Sequence, residues 1–454
     1  MINIQNKKIT VIGARRSGQA LARLVSRLNG VVKISEAGPE DKLTAQEREW
    51  LAVHKIPVEF QGHTRAFIED SDFVVLSPGV RFDALPVQWA RAKRIPVLGE
   101  IEFAFQFCRV PVIAVTGSNG KTTVVTLIYE ILKAAGYKAC LCGNVGYPFS
   151  DFVLASERLD FIVLEVSSFQ MESIHGSDKP TGLSDYDLLE RVQGFRPHIA
   201  VILNFSQNHL DRHKDLEEYF QAKTRILMNQ APGDFAVLNH QDARLRELSS
   251  RVRSGVVYFG QENPRTQGRG RRAGGASTST TTAALNPNHL AVLEVARIIG
   301  IEEDLCLQVF QGFKGVEHRC EKVRNVKGVE FINDSKSTTT EATRWALKNV
   351  EQPVILICGG RDKNVDFSVL SGLVGQKVKK MIVIGEARAK LRKTFAGIVD
   401  LEECEGLEQA VGRAQESAVG GDCVLLSPMC ASFDMFANFE DRGKRFKDIV
   451  AHLS

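Results

Sequence analysis

Long apolar runs are absent. No stretch of the 454 residues approaches the roughly 18 that a membrane-crossing helix requires. The opening segment "MINIQNKKIT" holds no signal-peptide core either, so the expectation is a cytoplasmic protein without a membrane span. Cysteine pairs at metal or redox spacing are also missing. The nine cysteines are scattered, only Cys140 and Cys142 lie close together, and no C-x-x-C occurs. That pattern argues against a disulfide framework or a structural zinc site and fits a reducing cytosol. An excess of one charge is lacking too: 58 Lys and Arg face 54 Asp and Glu, a net +4, too mild to make nucleic acid the main partner. No internal repeat is visible. What remains is an ordinary soluble composition, 44% hydrophobic and 25% charged. The length suggests about two to four domains.

Short β-branched runs ending in Gly, Asn or Ser recur along the chain. They include "KITVIG" (8–13), "VVKIS" (31–35), "FVVLSPG" (73–79), "VIAVTG" (112–117), "FIVLEVSS" (161–168) and "IAVILN" (199–204). Further on come "VEFINDS" (329–335), "PVILICGG" (353–360), "KMIVIG" (380–385) and "CVLLSP" (423–428). Amphipathic stretches separate them, which predicts an α/β protein with parallel sheets covered on both faces. Ligands in such folds gather at the carboxyl ends of the strands. Three blocks are expected: residues 1–99, 100–315 and 316–454. The low-complexity stretch 265–284, rich in Gly, Ser, Thr and Arg, reads as a surface loop, and 175–187 as an inserted loop.

The first block opens with "VIGARRSGQALARLV", a strand–turn–helix in which Arg15 stands where a dinucleotide motif has its middle glycine. That glycine lets the backbone approach a pyrophosphate, so a hydride-transfer enzyme is disfavoured. The helix start can still take a phosphate, with Arg15 or Arg16 adding charge, and Glu36 ends the next strand where it can meet a ribose or a base. A first domain that binds no nucleotide is the alternative.

The second block begins "VIAVTGSNGKTTVVTLIYEILKAAG", again strand, loop and amphipathic helix. Its loop offers backbone N–H groups and a helix dipole to an anion, Lys121 as cation and Thr122 for Mg²⁺. Gly117 and Gly120 are nonetheless three apart, whereas the usual phosphate loop spaces its glycines five apart. The shortened form, "TGSNGKTT", resembles the loop that marks the Mur ligase superfamily. "EVSSFQME" (165–172), "ILNFSQNHLDRH" (202–213), "YFQAKTRIL" (219–227), "EHRCE" (317–321), "INDSKST" (332–338), "CGGRDKNVDF" (358–367) and "LLSPMCASFDMFANFEDRG" (425–443) extend the resemblance, in family order, over the whole chain. The last string, with "ARRSG", is similar to the D-glutamate-adding branch of the family.

The resemblance implies a Rossmann-like first domain for a UDP-linked substrate, a central ATP-binding domain with its phosphate loop at 116–123, and a Rossmann-like third domain for the amino acid. The substrates would be ATP, UDP-N-acetylmuramoyl-L-alanine and D-glutamate, handled by a monomer in peptidoglycan precursor synthesis. A substrate carboxylate would take the γ-phosphoryl group of ATP, and the amine would then displace phosphate from the acyl phosphate. Phosphoryl transfer of this kind is mainly positioning and charge neutralisation. ATP is assigned Gly117, Ser118, Asn119, Gly120, Lys121, Thr122, Thr123, Asn288, Arg319 and Asp334. Two Mg²⁺ ions would be held by Thr122, Glu165, His209 and Lys223, the last as a CO₂-derived carbamate. Lys121, Glu165, His209, Lys223 and Arg319 are the expected catalytic group. The UDP substrate is assigned Arg15, Arg16, Ser17, Glu36, Gly79, Asn144, Ser167 and Lys336, and D-glutamate Thr338, Lys363, Ser432 and Phe439. Taken alone, His209 would read as a turn histidine and Lys223 as a solvated helix lysine.

One departure stands out. Ala284 and Leu285 occupy the place of the family's His-Asn pair for adenine, with Asn288 retained three residues on, so a weaker grip on adenine is expected. Another muramyl-peptide ligase, a folylpolyglutamate synthetase, or a nucleotide-binding relative that has lost catalysis are the alternatives.

Overall fold

A computed structural model of the chain describes residues 2–175, 193–206, 212–260, 285–362 and 365–453. His209, Lys363, Ala284, the stretch 265–284 and most of 175–187 lie outside the described residues. The chain divides into two compact units, Met1–Phe313 and Lys314–Ser454.

The first unit holds two sheets. One has strands Lys8–Ile12 (β1), Val31–Ser35 (β2), Val58–Glu59 (β3), Phe73–Leu76 (β4) and Val97–Gly99 (β5), in the order β3-β2-β1-β4-β5. The other has Val112–Thr116 (β6), Ala139–Gly143 (β7), Phe161–Glu165 (β8), Ile199–Ile202 (β9), Phe235–Asn239 (β10) and Gly255–Phe259 (β11), in the order β11-β10-β9-β6-β8-β7. Every pairing in both is parallel. The central strands β4, β6 and β9 are buried throughout, which is why they read as unbroken apolar runs rather than alternating ones. One apolar cluster joins Ile9, Val11 and Leu24 of the first layer to Phe103, Phe149, Ile162 and Leu164 of the second, so the two sheets share a core. A two-bond pair from Arg23 to Asp151, at 2.9 Å each, adds to that seam. On its other face the second sheet is covered by the helices Lys121–Ala134, Pro287–Ile299 and Glu303–Gly312.

The second unit holds Glu321–Val326 (β12), Val329–Asn333 (β13), Val354–Gly359 (β14), Val378–Ile384 (β15), Asp400–Glu403 (β16) and Cys423–Leu426 (β17), in the order β12-β13-β17-β14-β15-β16. Its sheet is mixed. The strand β12 runs antiparallel to β13 while the other pairings are parallel. Lys327 and Gly328 make the connection with φ of 52° and 85°, the left-handed pair that a tight hairpin needs. An α/β architecture of three sheets, wholly parallel in the first two, is thus what the chain forms among its described residues.

Candidate active site

The phosphate loop leaves β6 at Thr116 and enters the helix Lys121–Ala134 at Gly120. Gly120 has φ of +85°, and a Cβ there would come within 2.5 Å of Asn288 Oδ1. Only glycine serves this position, because it both permits the left-handed turn and admits the Asn288 amide against the loop. The loop is braced from β9: Ser118 N donates to Asn204 O (3.0 Å), Asn119 N to Asn204 Oδ1 (2.9 Å), and Asn204 Nδ2 back to Asn119 O (3.1 Å). Ser118 Oγ donates to Ser206 O and accepts from Ser206 N. Lys121 Nζ lies 2.8 Å from Gly117 O and 3.2 Å from Ser118 O. Thr123 follows in the first turn of the helix.

Glu165, at the end of β8, is 1% exposed and gathers the neighbouring polar groups. Thr122 Oγ1 donates to its Oε2 at 2.7 Å and Asn144 Nδ2 to its Oε1 at 2.8 Å. Lys223, on the helix Leu216–Thr224, is 2% exposed, and its Nζ donates to Gly117 O at 2.8 Å. Burial and the charge of Lys121 hold the Lys223 ammonium well below the usual lysine range, with Glu165 opposing them. One turn before it, Tyr219 places its hydroxyl 3.2 Å from Ser118 Oγ, and the Lys223 ammonium sits 4.6 Å from the centre of its ring. Burial pushes the Tyr219 phenol up to about 12, so it stays a neutral donor. Tyr219 is a site residue that sequence reasoning missed, because an aromatic on an amphipathic helix reads as core. Ser167 caps the short helix Ser168–Met171 through a reciprocal box with Gln170.

In the first layer, the Glu36 carboxylate already accepts from two backbone groups, Ala14 N at 2.7 Å and Gly38 N at 2.8 Å. It therefore fixes the glycine turn, whatever else it meets. Arg15 and Arg16 are exposed at the start of the helix Arg16–Arg27, which has no acidic residue in its first turn. The Arg16 guanidinium stands 5.1 Å from the ring centre of Tyr147, which reaches over from the second layer and is 60% exposed. Ser17 is half-buried, and Gly79 is exposed on the turn after β4.

In the second unit, Asp334 is wholly buried and both of its oxygens are engaged, Oδ1 by Cys320 N and Oδ2 by Ser427 Oγ. Burial raises its carboxyl above the usual range. The ATP contact expected of it would require that cover to open. Lys336 lies 5.3 Å from the ring centre of Phe439, Thr338 is half-buried, and Ser432 is 2% exposed. The loops carrying them are tied by Arg442, another residue not singled out in the sequence. Its guanidinium, 1% exposed, donates to Ser335 Oγ and O and to Cys430 O. Arg319 follows His318, which is buried against Asn333 with φ of +62°.

The geometry thus brings together Gly117 to Thr123, Asn144, Glu165, Lys223 and Asn288 in one unit, and Lys336 with Phe439 in the other. Three family descriptions match the chain: the MurD N-terminal domain over residues 8–84, the Mur ligase middle domain over 115–296, and the glutamate ligase domain of Mur ligases over 318–430. The UDP-N-acetylmuramoylalanine–D-glutamate ligase of Salinibacter ruber is 37% identical over 477 residues, covering 99% of each chain. The enzyme of the same name from Pelotomaculum thermopropionicum is 38% identical over 469 residues, covering 98% of each. Among solved structures, the UDP-N-acetylmuramate-alanine ligase MurC of Thermotoga maritima is similar, with a TM-score of 0.59 at 17% identity over 98% of this chain and 99% of that one. The MurF ligase of Thermotoga maritima, in complex with ADP, gives a TM-score of 0.57 at 15% identity over 99% of each. At such identities the two structures speak for the fold.

Proposed function

The chain belongs to the Mur ligase family, and from that premise we propose that it joins D-glutamate to UDP-N-acetylmuramoyl-L-alanine at the expense of ATP, in peptidoglycan precursor synthesis. The observation that carries this reading is identity of 37% to D-glutamate ligases over essentially the whole chain, with a first domain that matches the MurD N-terminal domain. The L-alanyl carboxylate takes the γ-phosphoryl group of ATP, ADP leaves, and the D-glutamate nitrogen attacks the acyl carbon and expels phosphate. The product serves cell-wall growth and hence cell shape and division.

The residues present suit this chemistry. Backbone N–H groups of the loop and the Lys121 ammonium cradle the phosphates, and Asn288 lies against Gly120 where a nucleotide bound to the loop would meet it. Thr122 Oγ1 and the Glu165 carboxylate form a hard-oxygen donor pair of the kind Mg²⁺ selects. When bound, Mg²⁺ supplies neutralisation of the charge that ATP and the transferring phosphoryl group carry. An ammonium at Lys223 would oppose a cation beside Glu165, whereas a carbamate would join it as a ligand. Its burial and depressed basicity favour the neutral amine, which attacks CO₂, forms an N–C bond and releases one proton. In the first unit Arg15, Arg16, Ser17, Glu36, Gly79, Asn144 and Ser167 receive the UDP substrate, and in the second Thr338, Ser432 and the chain at Phe439 receive D-glutamate.

The test is phosphate release from ATP by the intact protein with UDP-N-acetylmuramoyl-L-alanine and one amino acid at a time. D-glutamate should give turnover and an added-glutamate product by mass. Preference for L-alanine, meso-diaminopimelate or a folate acceptor would overturn D-glutamate addition.

A further inference from the structure

We propose that Arg212 is a positioning residue for the UDP-linked substrate, acting by fastening the first-domain turn Ser77–Val80 to the Glu172 carboxylate of the second. This rests on the function given above and extends it to a residue without an assigned role. Arg212 Nε donates to Glu172 Oε1 at 3.1 Å and Nη2 to Oε2 at 2.7 Å, a two-pronged pair. From the same guanidinium, Nη1 donates to Gly79 O at 3.0 Å and Nη2 to Val80 O at 3.3 Å. Its face lies over Phe169, 4.6 Å from the ring centre, and the side chain is only 11% exposed.

Each end of this bridge leads to substrate-facing groups. On the first-domain side, Ser77 Oγ donates to Gly13 O and Ser77 N to Ile12 O, so the turn backs onto the loop that starts the helix Arg16–Arg27. On the other side, Glu172 closes the short helix capped by Ser167, two residues beyond Glu165, and His213 beside Arg212 pairs with Ser168 Oγ at 3.1 Å. A planar fork can meet a carboxylate and two carbonyls at once. A lysine, as a compact point charge, cannot reproduce that set. The shared apolar core and the Arg23–Asp151 pair hold the two layers together without Arg212. Its loss should therefore let the turn drift rather than unfold the protein.

The experiment compares R212A, R212K and E172Q with wild type in the full-length protein, measuring KM for each of the three substrates and the melting temperature. In R212A the KM for UDP-N-acetylmuramoyl-L-alanine should rise between roughly tenfold and a hundredfold, the cost of a small misplacement, while those for ATP and D-glutamate stay within about twofold. R212K should remain well short of wild type, and E172Q should reproduce the same selective rise in smaller measure. An equal rise in all three KM values, a fall in kcat alone, or unchanged kinetics would overturn the proposal. Should R212A not fold, R212K and E172Q decide on the same criterion. Absence of turnover with D-glutamate in the wild type would instead sink the function itself, so the two failures are distinguishable.

Discussion

The Lys121 ammonium folds back onto the carbonyls of Gly117 and Ser118, the loop it would serve. An anion arriving there gains both the cation and the N–H groups of the helix start. Lys121→Ala should abolish phosphate release and leave the melting temperature nearly unchanged, since the lost bonds are replaceable by water. Near-normal turnover would remove the loop from the mechanism. Lys223 is a different case, since the sequence shows only a lysine on a helix, and its burial appears once the fold places it over Gly117. Lys223→Ala should lose most activity, and added acetate should restore part of it by offering carboxylate oxygens in the vacated space. No restoration together with unmodified Lys223 by intact mass in the active enzyme would exclude the carbamate. Tyr219 was hidden for a related reason, because nothing in its spacing reveals that its hydroxyl reaches Ser118. Tyr219→Phe removes the hydroxyl that meets Ser118, an effect of about 1 kcal/mol for that bond, and so should raise the KM for ATP a few-fold.

At the scale of elements, strands buried on both faces announce themselves as unbroken apolar runs, and the central members of each sheet were legible for that reason. The strand β12 was not. Its sequence alternates exposed charges, and only the Lys-Gly turn at 327–328 betrays the hairpin. The helix Pro287–Ile299 shows what a motif can and cannot say: Asn286 caps it by accepting from His289 N, while Asn288 turns toward Gly120. Here strand, loop and helix depend on one glycine. Gly120→Ala would impose a Cβ both at a left-handed φ and against the Asn288 amide. We expect it to destabilise by roughly 1–3 kcal/mol and to raise the KM for ATP more than that for the UDP substrate. Pairing it with Asn288→Ala should recover part of the loss, by removing the clash but not the strained φ. A double variant no better than the single would show that the Asn288 contact is immaterial.

For the whole molecule, the informative feature is where the cores stop. The apolar clusters of residues up to Phe313 include none of the second unit, whose own cores centre on Leu356, Met381 and Leu425 on one face of its sheet and on Ile357, Ile382 and Phe446 on the other. A change of composition does not mark such a boundary, and the sequence expectation of a third block from residue 316 lies close to where contacts draw the division, at Phe313. Units with separate cores need not melt together, since cooperativity follows shared burial. Calorimetry should therefore resolve more than one transition. Leu356→Ala empties a fully buried site in the central strand β14, at a cost of about 3 kcal/mol. In a unit of this size that lowers one transition by roughly 10 °C and leaves the other within about a degree. The mirror variant, Leu127→Ala on the buried face of the phosphate-loop helix, should move the other transition alone. If either substitution shifts the whole endotherm as a single peak, the two units fold as one and the division by cores has no energetic meaning.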